Sequence, residues 1–132
     1  MIINIIINVF LNFNTINLQN HTLSVKLIGF DNDKGKAFLL LLDKNEKEIS
    51  TKIVQIKNKE AVAIFNDLPD GNYAVKAFHD ANNNQKLDTN LLGIPKEKWG
   101  VSNNLKAKFG PPDFKKMLFE VNSNKSILIK LQ

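Results

Sequence analysis

Residues 80–88 carry oxygen-bearing side chains at alternate positions. Alternate residues of a tight loop can turn toward one centre, and a hard cation such as Ca²⁺ takes six to eight oxygen ligands. Two carboxylates, two amide oxygens and one backbone carbonyl would supply most of such a shell. The predicted ligands are Asp80, Asn82, Asn84, the backbone carbonyl of Lys86, and Asp88. This spacing predicts a structural Ca²⁺ site that pins the loop and performs no chemistry.

The loop departs from the usual calcium-binding pattern at two positions. Gln85 stands where such loops place a glycine for the sharp turn, at a cost of roughly 1 kcal/mol. Leu91 stands where a bidentate glutamate usually completes the shell. With so few charges the expected dissociation constant for Ca²⁺ is about 0.1–1 mM. The alternative is an Asn-rich turn whose side chains only cap their own backbone.

His79 precedes Asp80 and suggests an acid–base pair. Adjacent residues of a strand point to opposite faces, so we expect His79 to cap the end of a strand and order the loop. No Ser-His-Asp arrangement, glycine-rich phosphate loop or two-histidine metal motif occurs in the sequence. These observations favour a protein without catalytic machinery, and a small hydrolase that uses His79 and Asp80 is the alternative.

Composition excludes several classes of function. The chain has no Cys, so it has no thiol nucleophile, zinc–thiolate site or disulfide. Its net charge is +5, but all 18 basic residues are Lys. Arg is the side chain that reads guanine and grips phosphate through a planar fork, and its absence argues against nucleic acid as a partner.

A long connection, residues 80–113, shows little hydrophobic periodicity and is the place where we expect binding function. Rigid aromatic faces beside amide and hydroxyl groups could bind a sugar or a peptide there. The predicted ligand-binding residues are His79, Trp99, Ser102, Asn103, Asn104, Phe109 and Phe114. The alternative is that the aromatic rings close one end of the fold and the amides bond the loop backbone. An exposed Trp99 favours a glycan binder, whereas a buried one favours a scaffold.

Short apolar runs at even spacing, separated by Gly, Asn, Asp and Pro, predict the elements that position these residues. The pattern is typical of an all-β protein, a single antiparallel β-sandwich of about seven strands. Residues 37–42 are apolar at both odd and even positions, so this strand should be central and covered on both faces. Tyr73, two residues after Gly71, resembles a tyrosine corner. The predicted strands contain residues 23–27, 37–42, 53–56, 61–65, 72–79, 117–121 and 127–131.

Residues 1–19 predict an export signal peptide, followed by one domain over residues 20–132. Residues 1–13 are mostly apolar and no charged side chain occurs before Lys26. As a helix this stretch spans about 20 Å, short of the ~30 Å hydrocarbon core of a bilayer. A cleaved signal fits better than a membrane span, so we expect no stable membrane span in the mature chain. The alternative is an N-terminal strand or helix packed on the domain.

Several motifs in this order resemble an uncharacterised bacterial family, domain of unknown function 2141, over about residues 22–132. They are Leu-Pro-Asp-Gly-Asn-Tyr at 68–73, Ala-Phe-His-Asp at 77–80, Leu-Gly-Ile-Pro at 92–95, Trp-Gly-Val-Ser-Asn-Asn at 99–104 and Phe-Gly-Pro-Pro-Asp-Phe at 109–114. The resemblance implies an exported protein with a transthyretin-like or immunoglobulin-like sandwich, and implies no biochemical activity. Gln85 departs from the glycine that the family usually has there.

Together these observations predict a periplasmic or extracellular, non-catalytic module, stabilised by weakly bound Ca²⁺, that binds a glycan or an envelope polypeptide through residues 89–114. A structural or assembly partner that uses a sheet edge and takes no small ligand is a further alternative.

Overall fold

A computed structural model describes residues 19–132. The predicted signal peptide, residues 1–19, lies outside the described residues except for Gln19. The described part is nearly all β, with one helical turn, α1 (Phe114–Met117), and a 3-10 turn at Ser102–Asn104. Its strands are β1 (His21–Ile28), β2 (Lys36–Asp43), β3 (Glu48–Gln55), β4 (Glu60–Leu68), β5 (Gly71–Asp80), β6 (Trp99–Val101), β7 (Phe119–Val121) and β8 (Lys125–Lys130).

The strands form two sheets. One has three strands in the order β4-β1-β8, and the other has five, in the order β3-β2-β5-β6 with β7 also paired to β5. The sheets meet where Trp99 and Gln132 exchange two backbone hydrogen bonds of 3.3 and 2.8 Å. No helix within residues 19–132 has the length and apolar character needed to cross a lipid bilayer.

A shared core lies between the two sheets because alternate side chains of each strand point inward. Leu23, Val25 and Leu27 come from the three-stranded sheet, and Leu39 and Leu41 from the five-stranded one; all five are fully buried. This alternation confirms the period-two pattern of the sequence. Removing these side chains from water is the main favourable contribution to folding.

A second, smaller apolar cluster covers part of the outer face of the five-stranded sheet. Leu42 and Ala74 point outward from β2 and β5 and pack with Met117 of α1. β2 is therefore covered on both sides, as its unbroken apolar run predicts. The long connection folds back over this face, which fixes the position of residues 99–118 relative to β5.

Two features differ from the prediction. β1 and β8 pair in parallel, from Leu23 with Lys125 to Ile28 with Lys130, so the fold is not wholly antiparallel. Strands far apart in the chain are not joined by a hairpin, and nothing then requires them to run in opposite directions. The described residues hold eight strands rather than about seven, because β6 lies inside the predicted loop 80–113. Three residues are too few to show a period-two pattern.

Candidate functional site

Asp80 is the last residue of β5 and the first residue of the candidate loop, residues 80–88. It is only 1% exposed, and a buried carboxylate needs hydrogen-bond donors. Oδ1 accepts from the backbone N–H of Asn84 at 3.1 Å and Oδ2 from that of Gln85 at 2.8 Å. These bonds wrap the chain around the carboxylate, and each oxygen keeps a second lone pair.

Asn82, Asn84 and Asp88 converge on the same loop. The side-chain amide of Asn82 donates to Oδ2 of Asp88 at 2.6 Å, and that of Asn84 donates to Oδ1 at 2.7 Å. The amide oxygens accept backbone N–H groups of Asn84 and Lys86, at 3.3 and 3.0 Å. Four of the five predicted ligands are thus connected by hydrogen bonds, and the fifth, the backbone carbonyl of Lys86, lies in the same turn.

The hydrogen bonds from Asn84 and then Asn82 lower the pKa of Asp88, with smaller contributions from Glu97 and the charge of Lys96; partial desolvation opposes them. Hydrogen bonds to the charged form favour that form. Asp88 is therefore an ionised acceptor at neutral pH. A bound cation needs an ionised carboxylate, and so do the two amide groups that donate to Asp88. The ionised state of Asp88 therefore suits both the cation site and the alternative, an Asn-rich turn.

Glu97 ties the two ends of the loop together, and sequence reasoning missed it. Its Oε2 accepts the backbone N–H of Ala81 at 2.9 Å and its Oε1 that of Asp88 at 3.0 Å. A single glutamate in a connection without periodicity carries no sequence signal for this role. Across residues 19–132, no group of three or more His, Cys, Asp and Glu side chains forms a metal-holding cluster. A cation in this loop would therefore depend on the asparagine oxygens as well as on Asp80 and Asp88.

Gln85 adopts a φ of 60° and Asn83 a φ of 56°, both in the left-handed region. Asparagine tolerates this region because its short side chain bonds locally, whereas glutamine gains no such compensation. The turn therefore has the backbone that a glycine would favour at position 85, as the calcium-loop pattern predicts. The bonds that Asp80 accepts hold this strained turn in place.

His79 and Asp80 act on different partners. The Nε2 of His79 donates to the carbonyl of Lys34 at 2.6 Å, and its ring meets Phe30 edge-on, with 5.2 Å between centroids. No hydrogen bond joins His79 to Asp80 in the part of the chain that the structure describes. The Nε2 proton is committed to a backbone carbonyl, so His79 orders the turn before β2 in the way that a capping residue would.

The polar residues of the predicted binding set are used inside the fold. Ser102 is buried; its hydroxyl accepts from the N–H of Val75 at 3.1 Å and donates to the carbonyl of Met117 at 2.6 Å. Asn103 donates to the carbonyls of Lys116 and Leu118, at 2.8 and 3.0 Å. Ser102 attaches the connection to β5, and Asn103 attaches it to α1 and the residue that follows α1.

Asn104 joins the connection to β8. Its amide nitrogen donates to the carbonyl of Leu128 at 3.1 Å, and its amide oxygen accepts the N–H of Lys130 at 2.9 Å. Both ends of the amide are therefore occupied by the edge of a strand. The Ser102 hydroxyl, the amide nitrogen of Asn103 and both ends of the Asn104 amide therefore bond backbone, while the side chains of Asn103 and Asn104 stay exposed.

The aromatic residues of the set are separated. Trp99 is half-buried against the second apolar cluster, and Phe114 packs against the same cluster with the Lys76 ammonium 5.9 Å above its ring. Phe109 is fully exposed, at 105%. It borders a shallow depression of about 560 Å³ whose walls are Asn104, Leu105, Lys106, Lys108, Gly110, Pro111, Pro112, Asp113 and Lys116. The structure thus places Phe109 and Asn104 on one surface and Trp99 on another.

The fold and the site define a class: a two-sheet, nearly all-β protein whose longest connection carries an Asx-rich loop and a cationic, proline-rich surface. Residues 15–128 match the family model described as "Uncharacterized protein conserved in bacteria (DUF2141)". The chain belongs to this family, which confirms the resemblance seen in its motifs. A search of the curated proteins found no significant match. A search of the solved structures found none either.

Proposed function

We propose that the protein is an exported, non-catalytic β-sandwich module of transthyretin-like or immunoglobulin-like type, in which loop 80–88 binds Ca²⁺ weakly and residues 89–114 bind an envelope ligand. The convergence of Asp80, Asn82, Asn84 and Asp88 supports the cation site. A half-turn of each asparagine side chain about its Cβ–Cγ bond would present oxygen instead of nitrogen to a cation beside Asp88.

An envelope polypeptide fits the 105–116 surface better than a glycan does. The amides of residues 103 and 104 are bonded to backbone, so the surface offers few of the neutral hydrogen-bonding groups that a sugar requires. It offers an exposed Phe109, two prolines and three lysines. A fully exposed phenylalanine is a typical anchor for a partner that supplies an apolar pocket.

Thermal unfolding with and without Ca²⁺ tests the cation site. At 10 mM free Ca²⁺, a site with a dissociation constant of about 0.1–1 mM adds roughly 1.4–2.7 kcal/mol to the free energy of unfolding. The expected result is a rise of several degrees in Tm over the value in chelator. The Asp88→Asn variant should lose this rise.

Asp67→Asn is the matched control, because it removes one carboxylate from an exposed position outside the loop. Asn also tolerates the positive φ of 58° at that position. The control should keep the full response to Ca²⁺. An equal rise in Tm for wild type and Asp88→Asn would contradict a site in loop 80–88, as would no rise for the wild type.

Fractionation of bacterial cells that express the full chain tests the export part of the proposal. Mature protein that lacks about the first 19 residues is expected in the periplasmic or extracellular fraction, and its N-terminus can be read by mass spectrometry. Intact chain confined to the cytoplasmic fraction would contradict export and would leave the calcium test unaffected.

A further inference from the structure

A small hairpin beyond the candidate loop exposes an unusual amount of apolar surface. Leu91 is 106% exposed, Leu92 is 84% exposed and Ile94 is 55% exposed. Single exposed apolar residues are ordinary, but three within four residues form a contiguous patch. We name residues 89–95 the apolar tip.

Four of the five backbone N–H groups from Asn90 to Ile94 are hydrogen-bonded within the apolar tip. Thr89 pairs with Pro95, and the N–H of Asn90 donates to the carbonyl of Ile94 at 2.8 Å. The side-chain oxygen of Asn90 accepts the N–H groups of Leu92 and Ile94, at 2.9 and 3.0 Å. The N–H of Gly93 donates to the carbonyl of Asn90 at 3.0 Å. The side chains therefore point outward from a turn that Asn90 holds closed.

The apolar tip projects from the body of the protein. A Cβ atom built on Gly93 would meet no atom within 4 Å, so this side of the turn faces open space. A convex, apolar projection cannot form a concave pocket for a small ligand. Its apolar side chains can instead insert into a lipid layer.

The charges at the base of the apolar tip suit an anionic surface. Lys86 and Lys96 are exposed on either side of it. Asp88 and Glu97, the neighbouring acids, are only half exposed and accept hydrogen bonds from the loop. Lys98 is paired with Asp31 at 3.1 Å and does not add to the free positive charge. Lys86 and Lys96 are therefore the most exposed charges beside the tip, while Asp88 and Glu97 offset them in net charge.

From these four observations we propose that the apolar tip inserts into the interface of a lipid bilayer that contains anionic headgroups, with Lys86 and Lys96 contacting the headgroups. Backbone N–H groups that are bonded within a segment lower the cost of moving it into a lipid interface, and the N–H groups of Asn90, Leu92, Gly93 and Ile94 are bonded in this way. The N–H of Leu91 would bond water or a headgroup oxygen at the interface. A docking site for a polypeptide gains less from such internal bonding, because the partner can supply hydrogen bonds.

The expected affinity is low and the binding reversible. The three aliphatic side chains carry about twelve carbons, close to the size of one myristoyl chain, whose association constant with membranes is on the order of 10⁴ M⁻¹. Partial insertion lowers this value, while each lysine near an anionic surface raises it about fivefold. The inference goes beyond the proposed function and does not require Ca²⁺.

Site-specific labelling of the full chain tests the proposal. The chain has no native Cys, so Leu92→Cys accepts a single environment-sensitive fluorophore. Mixed with vesicles of about equal phosphatidylglycerol and phosphatidylcholine in chelator, the probe at position 92 should shift to the blue and brighten at least twofold. Adding Leu91→Ser and Ile94→Ser should weaken apparent lipid binding about tenfold or more, and vesicles of phosphatidylcholine alone should bind at least fivefold more weakly.

The matched control is Val62→Cys, on the outer face of β4, where the native side chain is 50% exposed. Its probe should show no change, which separates insertion of the tip from any attachment through residues 1–18, since both labelled proteins carry those residues. An unchanged probe at position 92, an equal response at position 62, or equal binding to both kinds of vesicle would overturn the proposal. Because chelator is present throughout, failure of the calcium site would not alter these outcomes.

Discussion

Tyr73 shows how one side chain secures a turn. Its hydroxyl donates to the carbonyl of Pro69 at 2.6 Å, across the Leu-Pro-Asp-Gly turn that joins β4 to β5. Its ring is buried in the core between the sheets. The interaction matches the tyrosine corner that the spacing from Gly71 predicts, because the hydroxyl bonds a carbonyl a few residues upstream.

Tyr73→Phe should lower the free energy of unfolding by about 1–2 kcal/mol, because it deletes this bond and leaves the ring in place. Chemical denaturation of the two proteins measures the difference. A change within error would show that the turn does not depend on the hydroxyl.

Ionisation of Tyr73 should make the stability of the fold depend on pH. Burial, then the charges of Asp70 and Asp43, raise the pKa of Tyr73 above its ordinary value of 10.0. The folded state therefore holds the phenolic proton at a pH where the unfolded chain has released it. Stability should be intact below about pH 10 and fall as the pH rises through the folded pKa. Tyr73→Phe should remove this part of the alkaline loss.

Gln85 is the residue at which the candidate loop is strained. Its φ of 60° costs a non-glycine residue roughly 1 kcal/mol. Gln85→Gly should therefore raise the free energy of unfolding by about 0.5–1 kcal/mol and should strengthen Ca²⁺ binding if the turn is better ordered. Asn83→Gly is the control and should gain less, because asparagine already tolerates a positive φ. A loss of stability in Gln85→Gly would show that the side chain contributes more than the strain costs.

At the scale of elements, the start of the candidate loop is packed against the turn before β2. Gly35 has a φ of 68°, and a Cβ atom placed there would lie 2.0 Å from the carbonyl oxygen of Asp80 and 2.7 Å from the Cα of Ala81. Both are backbone atoms, so a side chain at position 35 must push the loop away.

Gly35→Ala should lower the free energy of unfolding by about 3 kcal/mol or more. Gly93→Ala is the matched control, since it has a similar positive φ of 77° but no neighbour within 4 Å. It should cost only the backbone strain, about 1 kcal/mol. Equal losses in the two variants would mean that the close approach of Gly35 to Asp80 does not matter.

The elements were predictable to different degrees for physical reasons. Alternation in β1 and β8 and the unbroken apolar run of β2 indicate strands because burial imposes those patterns. β6 was missed since its three residues contain no full alternation. The parallel pairing of β1 with β8 was missed because sequence patterns report which face is buried and not which strand lies alongside.

The residues of the candidate site were also predictable from the sequence to different degrees. Short-range spacing predicts that residues 80, 82, 84 and 88 converge, because a tight turn alone brings them together. Glu97 and the backbone partners of Ser102, Asn103 and Asn104 depend on contacts 9 to 27 residues apart in the chain. Side-chain type alone cannot show whether an amide faces a ligand or a neighbouring carbonyl.

At the scale of the whole molecule, both sheets depend on one apolar interior. Ile129 of β8 is fully buried in it, whereas its neighbour Leu128 is 50% exposed on the opposite face. Ile129→Ala should lower the free energy of unfolding by about 2–5 kcal/mol. Leu128→Ala removes a similar number of carbons and should cost less than about 1 kcal/mol. Similar losses in the two variants would contradict the alternation on which the fold rests.

Amide NMR spectra recorded during a Ca²⁺ titration test whether residues 80–88 hold a cation. Asn84, Gln85 and Lys86 donate backbone N–H groups to side chains of the loop, so a bound cation must alter their surroundings. A cation bound in the loop should give saturable shifts, largest at these amides, with half-saturation between about 0.1 and 1 mM. Unchanged resonances for residues 80–88 at 10 mM Ca²⁺ would contradict this cation site.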